Sequence, residues 1–383
     1  RPVTLPTVRA TAWPPARWND LDRFQETLTA GEFAYLLDRV FSPDLGMRKY
    51  LELSEDRCCF LDNDLSRKLW TLRFSRGPSR PGAAAEPPPS DRLPLRGRRL
   101  LLDPGHLGGA FARLEERELR LGPGPRVREG DLDLRVCRLL RTRLEALGAT
   151  VAMTRDDARP VAGFSLAELE KAGSPAARAA RYRDEEIIAR AHLARSLPPA
   201  DLTLFLHFNA SAEGWSRASP LVVFVAGSYG QDEITSPEQR HALVAKLLSG
   251  DTAKEAAAAD FVARSLARQW RLAPRDYPAS PYKTRISPNP YLYARNLAAN
   301  RLFPGPGIYL EPLHMNHPLV YRRLQLGDYE GTRSVGGRPF PSLFREYADA
   351  VTDGVVAYFL AAEVRSAGDG SPGFPSLPAT TPR

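Results

Sequence analysis

Long apolar stretches are missing from this chain of 383 residues. No run of 18 uncharged apolar residues occurs, which excludes a transmembrane helix. Cysteine is scarce as well. Cys58, Cys59 and Cys137 are odd in number and two are adjacent, which argues against a disulfide framework. Cys137 stands among Val136, Leu139 and Leu140 and reads as a buried helical thiol. No internal repeat is found, and no RNP-like, zinc-finger or helix-turn-helix signature accompanies the basic residues. The net charge of +8 therefore does not predict nucleic acid as a partner. It suits an anionic partner such as a wall polymer. With 43% hydrophobic and 26% charged residues, the composition is that of an ordinary globular protein. The chain opens on Arg1 rather than Met, as expected after removal of a leader.

What is present divides into four segments. Residues 1–76 predict a small α+β module, Pro-rich at first. Phe33, Leu36, Leu37, Val40 and Phe41 then follow at helical spacing, and strands are expected at 50–54 and 68–75. Residues 77–95 read as a Pro-rich linker and 366–383 as a disordered tail. Between them, 96–365 alternates strand and helix, which predicts an α/β domain. Helices are expected over 132–147, 180–196, 253–270 and 344–360, and a further strand over 221–225.

Four short apolar runs in this region end in polar, chemically capable residues. They are Leu100-Leu-Leu-Asp-Pro-Gly-His106, Ala149-Thr-Val-Ala-Met-Thr-Arg155, Leu202-Thr-Leu-Phe-Leu-His207 and Gly307-Ile-Tyr-Leu-Glu311. Each reads as a buried strand. In an open α/β sheet the site gathers at the carboxyl ends of the strands. One sheet would therefore bring His106, His207 and Glu311 together, a set that suits a metal hydrolase: ligands plus one carboxylate free to move protons. Glu115, Glu116, Glu118 and Glu129 compete for the third ligand position. Glu129 is preferred because it opens the helix after the first strand. The run from Arg113 to Arg120 reads as a solvated loop or helix face. His314 and His317 form a His-x-x-His pair, but Pro318 follows and the glutamate of a zincin motif is absent, so a polar loop rimming the cleft is expected. Arg155 and Arg295 are candidates for substrate carboxylates. The long segments 160–195 and 228–262 read as lids or as surface decoration.

Taken in order, these elements resemble the zinc-dependent N-acetylmuramoyl-L-alanine amidases of bacterial cell walls (amidase type 3). The elements are Asp-Pro-Gly-His106 with Gly108-Gly109 behind it, Glu129-x-x-Leu-x-Leu, Leu147-Gly-Ala-x-Val-x-x-Thr-Arg155, Leu-His207-Phe-Asn-Ala, and Tyr-Leu-Glu311 with Asn316 beyond. Leu107 interrupts the usual His-Gly-Gly, and the interval from His106 to Glu129 is long. The resemblance implies a twisted, mostly parallel sheet flanked by helices. It implies His106, Glu129 and His207 as Zn2+ ligands, Glu311 as the catalytic carboxylate and Asn209 as a substrate contact. It further implies hydrolysis of the amide between N-acetylmuramic acid and L-alanine in peptidoglycan, a periplasmic or secreted location, and room for a regulatory protein partner. A zinc peptidase acting within the stem peptide and a non-catalytic wall-binding regulator stay open as alternatives.

Overall fold

The computed structural model describes residues 14–77, 93–211 and 214–367. Most of the expected linker (78–92) and all but the first two residues of the expected tail lie outside them. After a 3-10 turn at Trp18–Phe24, α1 (Ala30–Leu36) is opened by a reciprocal cap between Thr29 and Glu32. Three antiparallel strands follow in the order β1 (Leu51–Leu53), β2 (Arg57–Leu61) and β3 (Lys68–Arg73). The strand β2 has no counterpart among the sequence expectations. After Arg57 its next four residues are all buried, so the alternation that marks a half-buried strand is missing.

The main sheet begins with β4 (Arg99–Pro104). The long interval before the first major helix holds α2 (Phe111–Leu114) and a short hairpin of β5 (Glu118–Leu119) and β6 (Val127–Arg128). The helix α3 (Glu129–Ala146) leads to β7 (Thr150–Met153). Next come α4 (Leu166–Glu170), α5 (Pro175–Arg181) and α6 (Ile187–Ser196), then β8 (Leu202–Leu206) and β9 (Val222–Ala226). The remainder is α7 (Pro237–Leu248), α8 (Thr252–Trp270), β10 (Thr284–Arg285), β11 (Leu292–Arg295), α9 (Ala298–Leu302), β12 (Gly307–Glu311), α10 (Pro318–Gln325), the hairpin of β13 (Arg333–Val335) and β14 (Arg338–Phe340), and α11 (Leu343–Ala367).

Seven strands form one sheet in the order β10-β11-β9-β12-β8-β4-β7. The strands β12, β8, β4 and β7 are mutually parallel, whereas β9 runs against β12. This is the mostly parallel, helix-flanked sheet expected. On one face α3, α8 and α11 bury the large core. On the other, Ile188, Ala191 and Ala194 of α6 and Leu302 of α9 cover Leu101 and Phe205. The single helix expected over 180–196 is instead α5 and α6 joined by a π-helical turn at Tyr182–Glu186. The wider turn lets Tyr182 and Arg190 both reach the loop that carries His106.

Because β9 is antiparallel to β12, it exits at Ala226, beside Gly307 at the start of β12 and at the opposite edge from Glu311. The N-terminal segment docks there. Ser228 N–H donates to Val40 O (2.6 Å) and Tyr229 N–H to Phe41 O (2.7 Å), while Trp18 meets His241 of α7 edge-on at 5.2 Å. Gly227, at φ +152°, is required: a Cβ would stand 2.6 Å from Val40 O. Arg240 of α7 donates to Asn63 Oδ1 (2.7 Å) and lies 4.0 Å over the Tyr50 ring. Both parts share one continuous core.

Candidate metal centre

Three strand ends and one helix start converge. After β4, Asp-Pro-Gly turns the chain and leaves His106 at φ +47°, a left-handed position that few non-glycine residues hold. Gly105 lies against the His207 ring so closely that a Cβ would meet it at 2.2 Å, and this contact sets the two imidazoles together. Their ring centroids are 5.1 Å apart at right angles. Glu129 is the first residue of α3, where the helix dipole favours a negative charge. Its Oε2 is 3.7 Å from His106 Nε2 and its Oε1 is 3.1 Å from His207 Nδ1. One donor atom from each of the three lies within 4.8 Å of the others.

Glu311 is reached by register. Leu310 pairs with Leu206 between the parallel strands β12 and β8, so the next residues, Glu311 and His207, stand level. Asn209 Nδ2 donates to Glu311 Oε2 at 2.8 Å, which leaves Oε1 unclaimed by Asn209. Loss of hydration pushes the Glu311 carboxyl up to about 7; Arg295 pulls it back and Glu129 adds to the rise. The Tyr309 ring lies flat against His207 at 4.2 Å, forming a wall beneath the site.

Two buried guanidinium groups hold this floor in place. Arg155 is 3% exposed and donates to the carbonyls of Pro104, Gly105, Gly130 and Asp157. Among the described residues its side-chain hydrogen bonds all go to backbone carbonyls, which clamps the His106 turn. Arg190 is 1% exposed and donates to Pro104 O (2.7 Å), His106 O (3.1 Å) and Glu186 Oε1 (2.7 Å), with Asp103 at 3.4 Å. Sequence reading did not single out Arg190. Its only signal is a guanidinium between alanines on an otherwise apolar helix face.

The expectation of a solvated loop from Arg113 to Arg120 holds for Arg113, Glu116, Arg117 and Arg120, which are exposed, and is corrected at Glu115 and Glu118. Glu115 is 7% exposed, accepts from Leu107 N–H (2.9 Å), and faces His106 Nδ1 at 3.7 Å. Burial raises its carboxyl to about 7. Glu118 pairs with Arg126 (3.0 Å) and Arg128 (3.2 Å) and pins the β5–β6 hairpin. The half-exposed Arg117 donates from Nε to His106 Nε2 at 3.2 Å. A run of alternating charge gives no periodicity from which these inward positions are readable.

The His-x-x-His pair separates from the cluster. His314 is buried rather than on a rim, with Nδ1 3.2 Å from Ser216 Oγ and its N–H donating to Ser219 Oγ. It ties the loop after β8 to the loop after β12, and Asn316 does the same through Ser211 and Gly214. Arg295 ends β11 on the face that carries Glu311 and lies 5.2 Å over the Phe224 ring.

The donor set fits a zinc ion. Two imidazoles and a carboxylate make up a hydrolytic zinc site. Burial pushes His106 and His207 down to about 3, so both rings are neutral and keep a lone pair for a cation. Among the described residues His106 Nδ1 is buried without a hydrogen-bond partner, and the carboxylate behind it, Glu115, is the kind of group that orients ligating histidines.

No family model matches the chain, and no curated protein does. Solved structures that it is similar to include N-acetylmuramoyl-L-alanine amidases. They include the apo form of Ami1 from Mycobacterium abscessus (20% identity, 69% of this chain and 99% of that one, TM-score 0.40). CwlD from Clostridioides difficile, in complex with the GerS lipoprotein, is 15% identical over 69% of this chain and 100% of that one, with a TM-score of 0.43. The catalytic domain of CwlV from Bacillus (Paenibacillus) polymyxa var. colistinus is 14% identical over 68% and 97%, with a TM-score of 0.41. At this level of likeness no residue role passes from those proteins to this chain.

Proposed function

We propose that the protein is a zinc-dependent amidase that hydrolyses the bond between N-acetylmuramic acid and L-alanine in peptidoglycan. The observation that carries this reading is the convergence of His106, Glu129 and His207 within one coordination sphere, with Glu311 level with His207 on the next strand. The motif series through Asn316 supports the choice of bond.

His106, Glu129 and His207 would hold the ion, and zinc in such a set acidifies water and polarises a carbonyl oxygen. The remaining chemistry belongs to side chains. Asn209 fixes Glu311 through Oε2 and leaves Oε1 to take a proton from the attacking water. The same oxygen then returns that proton to the departing L-alanine amine, so that water and amide become a lactyl carboxylic acid and a free amine. Arg155 and Arg190 keep the His106 turn rigid while this happens.

In this reading, 96–365 is the catalytic unit and 1–76 an accessory module whose described part, from residue 14, docks at the far edge of the sheet. Among the described residues no helix is long and apolar enough to cross a membrane. The substrate places the protein in the cell envelope, periplasmic or secreted, where a regulatory protein has access to it.

The test is metal analysis of purified protein together with product analysis on muropeptides, before and after chelation. About one zinc per chain, release of peptides with a new L-alanine amino terminus, and loss of turnover on chelation are expected. Cleavage within the stem peptide would replace the reading by a zinc peptidase. Full turnover without metal would end it.

A further inference from the structure

Outward from Glu311, the same face of the sheet carries an aromatic row. Tyr309, Phe224 and Tyr293 are paired residues on β12, β9 and β11, and they share this face. Tyr277 closes over them from the segment before β10, at 6.1 Å from Phe224 and 5.2 Å from Tyr293.

Three cations lean on this floor. Lys283 Nζ is 4.4 Å from the Tyr277 ring, Arg275 is 5.4 Å from it, and Arg295 is 5.2 Å from Phe224. Among the described residues, none of the three side chains has a hydrogen bond or a carboxylate within ion-pair reach. Their neighbour Arg285 shows the contrast, with Tyr293 Oη at 3.0 Å and Asp276 at 3.6 Å.

Arg275 and Lys283 lean on one ring, that of Tyr277, and Arg295 on the neighbouring ring of Phe224, 6.1 Å away. The Lys283 ammonium is pushed down by burial and then by Arg295 and Arg275. One of them is tied to the level of the catalytic carboxylate by the backbone: Arg275 N–H donates to Leu221 O, next to Val222, which pairs with Glu311. Three mutually repelling cations over an apolar floor, with no counter-ion of their own, fit a ligand that brings the anion. Arginine forks take carboxylates by paired hydrogen bonds, and the aromatic floor suits the carbon chain between a carboxylate and an amide.

We infer that Arg275, Lys283 and Arg295 form a carboxylate-binding subsite on the sheet face that carries Glu311. It grips an acidic residue of an acylated peptide whose amide lies at Glu311. The inference rests on the amidase reading for the identity of that peptide, but the charge preference is measurable without turnover.

The probes are N-acetyl-L-alanyl-glutamate, its uncharged bis-amide and inorganic phosphate, titrated calorimetrically into the full-length metal-free protein at low and high salt. The dianion is expected to bind roughly tenfold more tightly than the bis-amide at low salt, with the preference shrinking as salt rises. K283Q and R275Q are each expected to lower that preference about threefold, and R275Q/K283Q/R295Q to abolish it. Thermal unfolding checks that the variants are folded; should the triple variant not fold, the single variants carry the test. Equal binding of dianion and bis-amide, or an undiminished preference in K283Q and R275Q, overturns the subsite. So does competition by phosphate in the absence of any peptide charge preference. A preserved preference in a protein that hydrolyses no muropeptide would sink the amidase reading and leave the subsite standing.

Discussion

The guanidinium of Arg117 donates from Nε to Nε2 of His106 at 3.2 Å, on the side where Glu129 Oε2 stands 3.7 Å from the same nitrogen. A positive group therefore rests on the lone pair that a cation ligand must offer, and it is only 3.9 Å from the Glu129 carboxylate. Arg117 comes from the long interval between β4 and α3, the stretch by which this chain departs from the amidase pattern.

Metal binding must then displace Arg117. Its side chain is 46% exposed, so the displacement is inexpensive and its effect is screened. Arg117→Gln is expected to raise zinc affinity roughly threefold, more at low salt, in competition with a chromogenic chelator. Unchanged affinity at low salt would mean that the contact places no restraint on the site.

Glu311→Gln retains the acceptor for Asn209 and removes the proton acceptor. Turnover is expected to fall by about 10² to 10⁴-fold with zinc content unaltered. A variant that loses its metal together with its activity would make Glu311 a ligand instead of a base.

The strand ends were legible because each is a short apolar run whose last residue breaks the pattern: His106, His207 and Glu311 fall at or within two residues of the observed ends of β4, β8 and β12. Glu129 was legible as a helix opening. What escaped is whatever depends on tertiary pairing. Glu115 lies in a charge run that looks solvated, yet the turn after α2 tucks it behind His106. Arg190 lies on a helix face, where its burial depends on Asp103 and Glu186 meeting it. Arg275 and Lys283 sit in an irregular segment with no period to read, and only the packing of Tyr277 on Phe224 and Tyr293 brings them to the face that carries Glu311. The reversed direction of β9 was equally invisible, since a buried strand carries no sign of its direction.

Arg190→Met leaves Glu186 with a buried carboxylate and no cation, and strips two donors from the His106 turn. Breaking such a pair costs about 3 to 5 kcal/mol, so a large drop in the unfolding midpoint is expected, with zinc bound more weakly in what remains folded. Retention of both stability and zinc would deny Arg190 its clamping role.

Gly227→Ala places a Cβ 2.6 Å from Val40 O at a backbone angle that L-residues avoid. About 1 to 3 kcal/mol of strain is expected at the junction between the N-terminal segment and β9. Limited proteolysis after 77 should accelerate, while zinc binding at the opposite edge of the sheet stays as it was. A variant as resistant to protease as the parent would show that the junction yields without cost.

His314 supplies a pH dependence. Burial first, then Arg275 and His317, hold its pKa down to about 4, against 6.5 for an ordinary histidine. Between those values the unfolded chain binds a proton there and the folded chain does not, so unfolding gains as pH falls. The stability is complete above about pH 6.5, declines towards pH 4, and levels off below. From pH 6.5 to pH 5 the loss from this residue is roughly 2 kcal/mol at most. His314→Gln keeps a partner for Ser216 and cannot titrate. Denaturant unfolding at pH 7 and pH 5 should therefore show a smaller acid loss in H314Q than in the parent, since His106 and His207 contribute equally to both. Identical losses would mean that His314 accepts a proton in the folded state as readily as in the unfolded chain.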